Sequence, residues 1–197
     1  MQKVKRTRDA DRTTRALLDS ARREFAGAGY QDARTATIAA RANLTRGALY
    51  HHYRDKLALF TAVVEEIQAE IAAEVTAAAR AETAPLAAMR AGCARYLDCC
   101  ARSDVRQIVL IDGPAALGWE TWQAIDERHA FGATRAAVRA AIKAGELPDV
   151  PDEPLTRVLL GVITHAGLDV GRSSNPRRRR RELGSVIDLI LDRLSQS

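Results

Sequence analysis

Apolar residues recur along the chain at intervals of three and four, the spacing that gathers them on one face of an α-helix. The first such stretch, Thr13 to about Ala26, brings Ala16, Leu17, Ala21 and Phe25 together. Thr13 or Thr14 is placed to cap it, and Gly27, Gly29 and Tyr30 to stop it. A second short stretch, Thr35 to Ala42, turns Ile38 and Ala39 inward. Asn43-Leu44-Thr45 follows as a tight turn, since asparagine tolerates the left-handed conformation that ends many helices. Thr45 then caps a third helix, Arg46 to about His52, and Asp55 a long fourth one reaching about Ala81. Thr83 and Pro85 open a fifth helix that ends near Arg102. Ser103 is expected to cap a sixth, Asp104 to Ile111, stopped by Gly113-Pro114. The seventh runs from Trp119 to Ala144, with Gly132 as a candidate break and Gly145 as its end. After the loop Leu147-Pro148-Asp149-Val150-Pro151, Asp152 is expected to cap an eighth helix, Glu153 to Arg172. Asn175-Pro176 opens the last, to about Leu194. The pattern predicts an all-α fold of about nine helices and no strand.

Composition agrees with the pattern. Of 197 residues 47% are hydrophobic and only 5% aromatic, and 37 are alanine against 12 glycines and 6 prolines. Alanine loses least on entering a helix, and so apolar a chain is not disordered. The longest stretch free of charge, Val158 to Leu168, falls well short of the ~20 residues of a membrane span. Met1-Gln2-Lys3-Val4-Lys5-Arg6 lacks the apolar region of an export signal. Cys93, Cys99 and Cys100 lie in one short segment without metal-ligand spacing. The expectation is a reduced, cytoplasmic protein with no metal and no cofactor.

Charge divides the chain. Residues 1–56 hold 13 Lys and Arg against six Asp and Glu, whereas residues 57–197 hold 17 against 19, within a total of +5. A basic head on a near-neutral body points to a polyanion partner at the N-terminal end. The helices of that head have matching dimensions. Two short helices joined by a three-residue turn, the second opening with Thr-Arg-Gly, are the parts of a helix-turn-helix, whose second helix enters the major groove of DNA. Gly47 and Ala48 allow close approach, and Arg46 has the reach for guanine O6 and N7 or for a phosphate. Leu49 faces the small core, while Tyr50, His51 and Lys56 are polar groups suited to the sugar-phosphate backbone. Adjacent on a helix, His51 and His52 point about 100° apart and do not share an ion; His52 is expected to pack against the fourth helix.

The run from Thr13 to Phe60 resembles the N-terminal DNA-binding domain of TetR-family transcriptional repressors. The match is carried by Thr45-Arg46-Gly47-Ala48-Leu49-Tyr50-His51-His52-Tyr53 and Asp55-Lys56-Leu57-Ala58-Leu59-Phe60. Phe25, Gly29-Tyr30 and Ile38-Ala39-Ala40-Arg41-Ala42 precede it in order. The resemblance implies that Arg46, Gly47, Ala48 and His51 lie towards the bases. It places Thr35, Tyr50, His52 and Lys56 near phosphates, with Thr45 at the head of the recognition helix. Arg34 stands where the family has a Ser or Thr cap, which suggests a cap shifted to Thr35; its guanidinium either adds a DNA contact or is solvated. Asn43 replaces a common glycine.

The resemblance also implies a C-terminal domain, residues 57–197, that dimerises and binds a small-molecule effector. The last two helices carry apolar stripes, Leu155, Val158, Leu159, Val162, Ile163, Ala166 and Val170 on one, Leu183, Ile187, Ile190, Leu191 and Leu194 on the other. These stripes either cover their own core or, as the family implies, form a four-helix bundle between two copies. Candidate cavity residues are Met89, Cys93, Tyr96, Cys100, Trp119, Trp122, Ile125, Asp126, His129, Phe131, Thr164, His165 and Leu168. Ordinary core is the alternative for each of them taken singly. Five arginines in a row, Arg177 to Arg181, are either solvated, matched by acids of a partner subunit, or an anion site. With no phosphate loop, nucleophile elbow or paired metal motif, an enzyme is not expected. The whole reads as a homodimeric repressor that leaves a palindromic double-stranded operator when an effector binds.

Overall fold

A computed structural model describes the backbone of residues 2–196 and the side chains of residues 12–196. Met1, and the side chains of the other residues read above for an export signal together with that of Arg8, lie outside what it describes. Among the described residues the chain forms α1 (Gln2–Asp32), α2 (Thr35–Arg41), α3 (Arg46–His52), α4 (Lys56–Arg80) and α5 (Pro85–Cys100). A π-helix (Val105–Asp112) follows, then α6 (Gly113–Leu117), α7 (Trp119–Lys143), α8 (Asp152–Arg172) and α9 (Pro176–Ser195). No strand occurs among these residues, and no helix is long and apolar enough to cross a membrane.

Several boundaries differ from those predicted, each for a local reason. Thr13 and Thr14 sit inside α1 rather than at its cap. The helix passes Gly27 and leaves helical geometry only at Gly29, where φ is 74° and ψ 167°. Ser103 does not cap the sixth helix but already lies within it, ahead of Asp104, whose carboxylate is taken by Arg22 and Arg102. Gly113-Pro114 does not stop the chain either. Proline stands in the first turn of α6, where its missing N–H costs no hydrogen bond. The break comes at Gly118, with φ 79°. Helix α7 runs through Gly132 unbroken and ends before Gly145, φ 71°. Asp152 begins α8 instead of capping it, and binds Arg135 and Arg139 of α7 at 2.8 and 2.7 Å.

The predicted caps at Thr45, Asp55 and Asn175 are present: their side chains accept from the backbone N–H of Ala48, Ala58 and Arg178. Helix α4 holds the molecule together. Its first turns bury Leu59, Phe60 and Val63 against Leu17, Ala21, Phe25 and Leu49 of the head, and its middle buries Val64, Ile67 and Ile71 against the body. Phe25, Tyr30 and Phe60 close the head with ring centroids 5.0 and 4.8 Å apart about Phe60. The body core is built on Leu97, Cys100, Val105, Ile108, Trp122, Val138 and Val170, all wholly buried. Gly167 and Gly171 of α8 admit Tyr96 and Leu110 so closely that a Cβ at either would lie 2.7 Å from them.

Candidate nucleic-acid interface and inner cavity

The helix-turn-helix is fixed from below by Ser20, whose buried hydroxyl donates to the Ile38 carbonyl at 2.8 Å. Asn43 takes the left-handed conformation, φ 55°, and the Leu44 N–H then reaches the Ala39 carbonyl at 2.9 Å. Leu49 is wholly buried, which turns Arg46, Gly47, Tyr50 and His51 outward on one exposed face of α3, with Thr45 at its start and Ala48 half-buried. Thr35 is buried at the start of α2, and its hydroxyl lies 3.2 Å from the Tyr50 hydroxyl. The Arg46 guanidinium sits over the Tyr50 ring, 5.6 Å from its centroid. The bond to Thr35 and then the one to Arg46 pull the Tyr50 hydroxyl below its ordinary pKa.

Two expectations for this face need correction. His52 does not pack against α4 but is exposed beside His51, because only Leu49 of that helix reaches the core. The cap of α2 does not move to Thr35, which is engaged with Tyr50; Arg34 occupies the cap position without a side-chain bond and is exposed. Lys56 is half-buried and has a structural contact as well. Its Nζ donates to the Gln31 carbonyl at 3.0 Å and lies 4.8 Å from the centre of the Tyr30 ring, so it ties α4 to the end of α1.

Between α4, α5, α7, α8 and α9 lies a cavity of about 470 Å³ with mainly apolar walls. Of the residues expected to line it, Met89, Cys93, Tyr96, Asp126, His129 and Thr164 do so. The others are elsewhere. Cys100, Trp122, Ile125 and Leu168 are closed into the core, Trp122 donating its indole N–H to the Val109 carbonyl at 2.7 Å. Trp119 is 52% exposed, His165 faces outward, and Phe131 lies under Arg157. Sequence reasoning missed Gln68, Ile71, Val75 and the small residues Ala72, Ala88, Gly92, Ala130, Ala133 and Ala137. The signal was present: alanines 130, 133 and 137 recur at helical spacing, and a small side chain on an inward face leaves room.

Burial pushes the Asp126 carboxyl above its ordinary pKa, although Gln68 Nε2 and the Thr164 hydroxyl each donate to it at 3.0 Å. His129 Nε2 meets Glu65 at 2.7 Å. Burial likewise pushes the Cys93 and Cys99 thiols up to about 11 and raises Cys100, so little thiolate is present for redox chemistry.

On α8 and α9 the expected stripe is split. Ala166, Val170, Ile187 and Leu191 are buried in their own chain, Leu159, Ile163 and Ile190 line the cavity, and Leu155, Leu183 and Leu194 are half-buried against the core. The outward apolar residues are Val158, Val186, Leu189 and Val162, the last of which also borders the cavity. In the arginine run Arg178 and Arg179 meet Glu182 at 2.7 and 3.4 Å, and Arg180 meets Asp98 at 2.6 Å, so acids of the same chain hold them.

Comparison with known proteins places this geometry. A profile of the C-terminal domain of tetracyclin repressor-like proteins matches residues 86–194, and that of bacterial regulatory proteins of the tetR family matches residues 17–63. The TetC protein of transposon Tn10 from Escherichia coli is 26% identical over 156 residues, 79% of either chain. An HTH-type transcriptional repressor of Mycobacterium tuberculosis is 44% identical over 59 residues, 30% of this chain and 32% of that one. The crystal structure of a TetR-family transcriptional regulator from Pectobacterium atrosepticum superposes with a TM-score of 0.86 at 28% identity, covering 96% of this chain and 97% of its own. That of FadR from Bacillus subtilis, solved in complex with stearoyl-CoA, shares the fold with a TM-score of 0.70 at 14% identity, over 91% and 96% of the two chains. The profiles, the helix-turn-helix and the helical body agree: the chain belongs to the TetR family of DNA-binding transcriptional regulators, of the repressor type.

Proposed function

We propose that the protein binds a palindromic operator as a homodimer in the cytoplasm and releases it when a small molecule occupies the inner cavity. One observation carries this reading. The same unbroken helix, α4, closes the head with Leu59 and Phe60 and forms a cavity wall with Gln68, Ile71 and Val75. A ligand that favours a different position of α4 at Gln68 favours a different position of α3, which is a population shift between two states. Two recognition helices read successive major grooves only when about 34–36 Å apart, so a change in their separation costs operator affinity. The FadR complex with stearoyl-CoA supports a small-molecule effector in this fold and does not set its chemistry.

The test is a gel shift with duplex from the region upstream of the gene, against a shuffled duplex of equal length. Arg46→Ala is expected to lose affinity mainly for the operator, by the ~1–3 kcal/mol of one base contact. Lys56→Ala is expected to weaken both duplexes and to flatten the salt dependence. Equal binding of operator and shuffled duplex by the native chain would overturn the reading in favour of a general DNA-packaging role.

A further inference from the structure

The cavity's electrostatics are one-sided. Its walls are mostly alanine, valine, leucine and isoleucine, and Asp126 lies among them only 5% exposed. A carboxylate offers about four acceptor positions. Gln68 Nε2 and the Thr164 hydroxyl fill one on each oxygen. Among the described residues no Lys or Arg meets it, and the pull of His129 on it is smaller than the effect of burial. His129 also lines the cavity, but Glu65 holds its Nε2. The only Lys or Arg in the described wall is Arg80, twelve residues further along α4 and therefore about 18 Å away along the helix axis. Buried charges in proteins are ordinarily paired directly, and this one has no ion pair of its own among the described residues.

From the unmatched carboxylate we infer that the cavity takes an apolar amine, its ammonium on the remaining acceptor positions of Asp126 and its hydrocarbon along the alanine face of α7. The inference rests on the reading of this cavity as the effector site. An ammonium carries three donors and no acceptor, which complements a carboxylate with two free positions. A hydrocarbon tail meets mainly apolar walls, in which the Thr76 and Thr134 hydroxyls are already given to carbonyls of their own helices. A carboxylate ligand meets repulsion at the Asp126 end, and an alcohol of the same length gains the tail contacts without the charge.

The experiment is calorimetric titration of the full chain with decylamine, 1-decanol and decanoate at pH 7, the ions below their micelle concentrations and the alcohol below its solubility limit. Decylamine is expected to bind more tightly than decanol by on the order of tenfold, the size of one charge-assisted hydrogen bond, and decanoate more weakly than either. In Asp126→Asn the amine falls to the level of the alcohol while alcohol binding persists, which also shows that the variant is folded. Ala137→Phe, which fills the cavity, removes all three. If all three bind the native chain and not Ala137→Phe, but without preference for the amine, the ligand class is wrong and the effector site stands. A preference for the amine that survives in Asp126→Asn likewise overturns the assignment. If none binds, the amine assignment falls together with the reading beneath it.

Discussion

Tyr50 and Thr35 share one hydroxyl contact, and the two residues sit on the helices that flank the turn. Tyr50→Phe leaves the buried Thr35 hydroxyl without that partner, at a cost of about 1–3 kcal/mol for an unsatisfied group. Urea unfolding is expected to show this loss, and Thr35→Val with Tyr50→Phe to recover most of it, because both polar atoms then go together. Arg22 does comparable work between head and body. It bonds Glu70 at 2.8 Å and Asp104 at 2.7 Å. Burial alone acts to raise the Asp104 carboxyl, but the hydrogen bonds from Arg22 and Arg102 outweigh it and hold the group below its usual range. A carboxyl depressed in the folded state stabilises the fold above its unfolded pKa, and that stability disappears as pH falls through the folded value. Melting temperature is therefore expected to drop on acidification below about pH 4, the ordinary carboxylate range, with a shallower slope in Asp104→Asn. An unchanged slope would show that the joint contributes nothing to acid stability.

The π-helix is the element that joins the other parts. At its C-terminal end Asp112 accepts from the Tyr30 backbone N–H at 2.7 Å and from Gln107 at 3.0 Å. In its middle the Val109 carbonyl receives Trp122, which lies one turn before Asp126 on α7. Arg106 reaches the Gly171 and Ser173 carbonyls at the end of α8. Asp112→Ala leaves the Tyr30 N–H without an acceptor, so amide exchange across residues 26–33 is expected to quicken by roughly tenfold or more while α9 stays protected. None of this was readable from the chain, because Val105 to Asp112 has the same apolar spacing whether its carbonyls bond four or five residues on. The head was readable because its signals are local. Thr45, Asp55 and Asn43 act on backbone within three or four residues, and each stands in the predicted role. Cavity residues were half readable. Met89, Cys93, Tyr96, Asp126, His129 and Thr164 line it, whereas Trp122 and Cys100 belong to a core that only the packing of several helices defines. Alanine carried the missing information: what looked like helix-forming filler is also the space in the body.

At the scale of the molecule, what is left uncovered matters more than what is filled. Val158, Val162, Val186 and Leu189 are 64, 38, 51 and 54% exposed, on two helices packed against each other. On α8 and α9 they recur at intervals of four and three, so each helix carries its own outward apolar stripe. Contiguous apolar surface of this kind marks an interface, and a face that meets its own copy about a two-fold axis closes without leaving a second patch exposed. Such a dimer also places two heads on one duplex, which a palindrome requires. Val158→Asp with Leu189→Asp is expected to sediment as a monomer, to melt cooperatively, and to lose most operator affinity, since each head then holds only one half-site. Ile187→Asp puts a charge into the core of the same helix and is expected to unfold the chain instead. The contrast separates the two sides of α9. Should the double aspartate variant remain a dimer, the copies meet elsewhere, and these four side chains must be covered by a different partner.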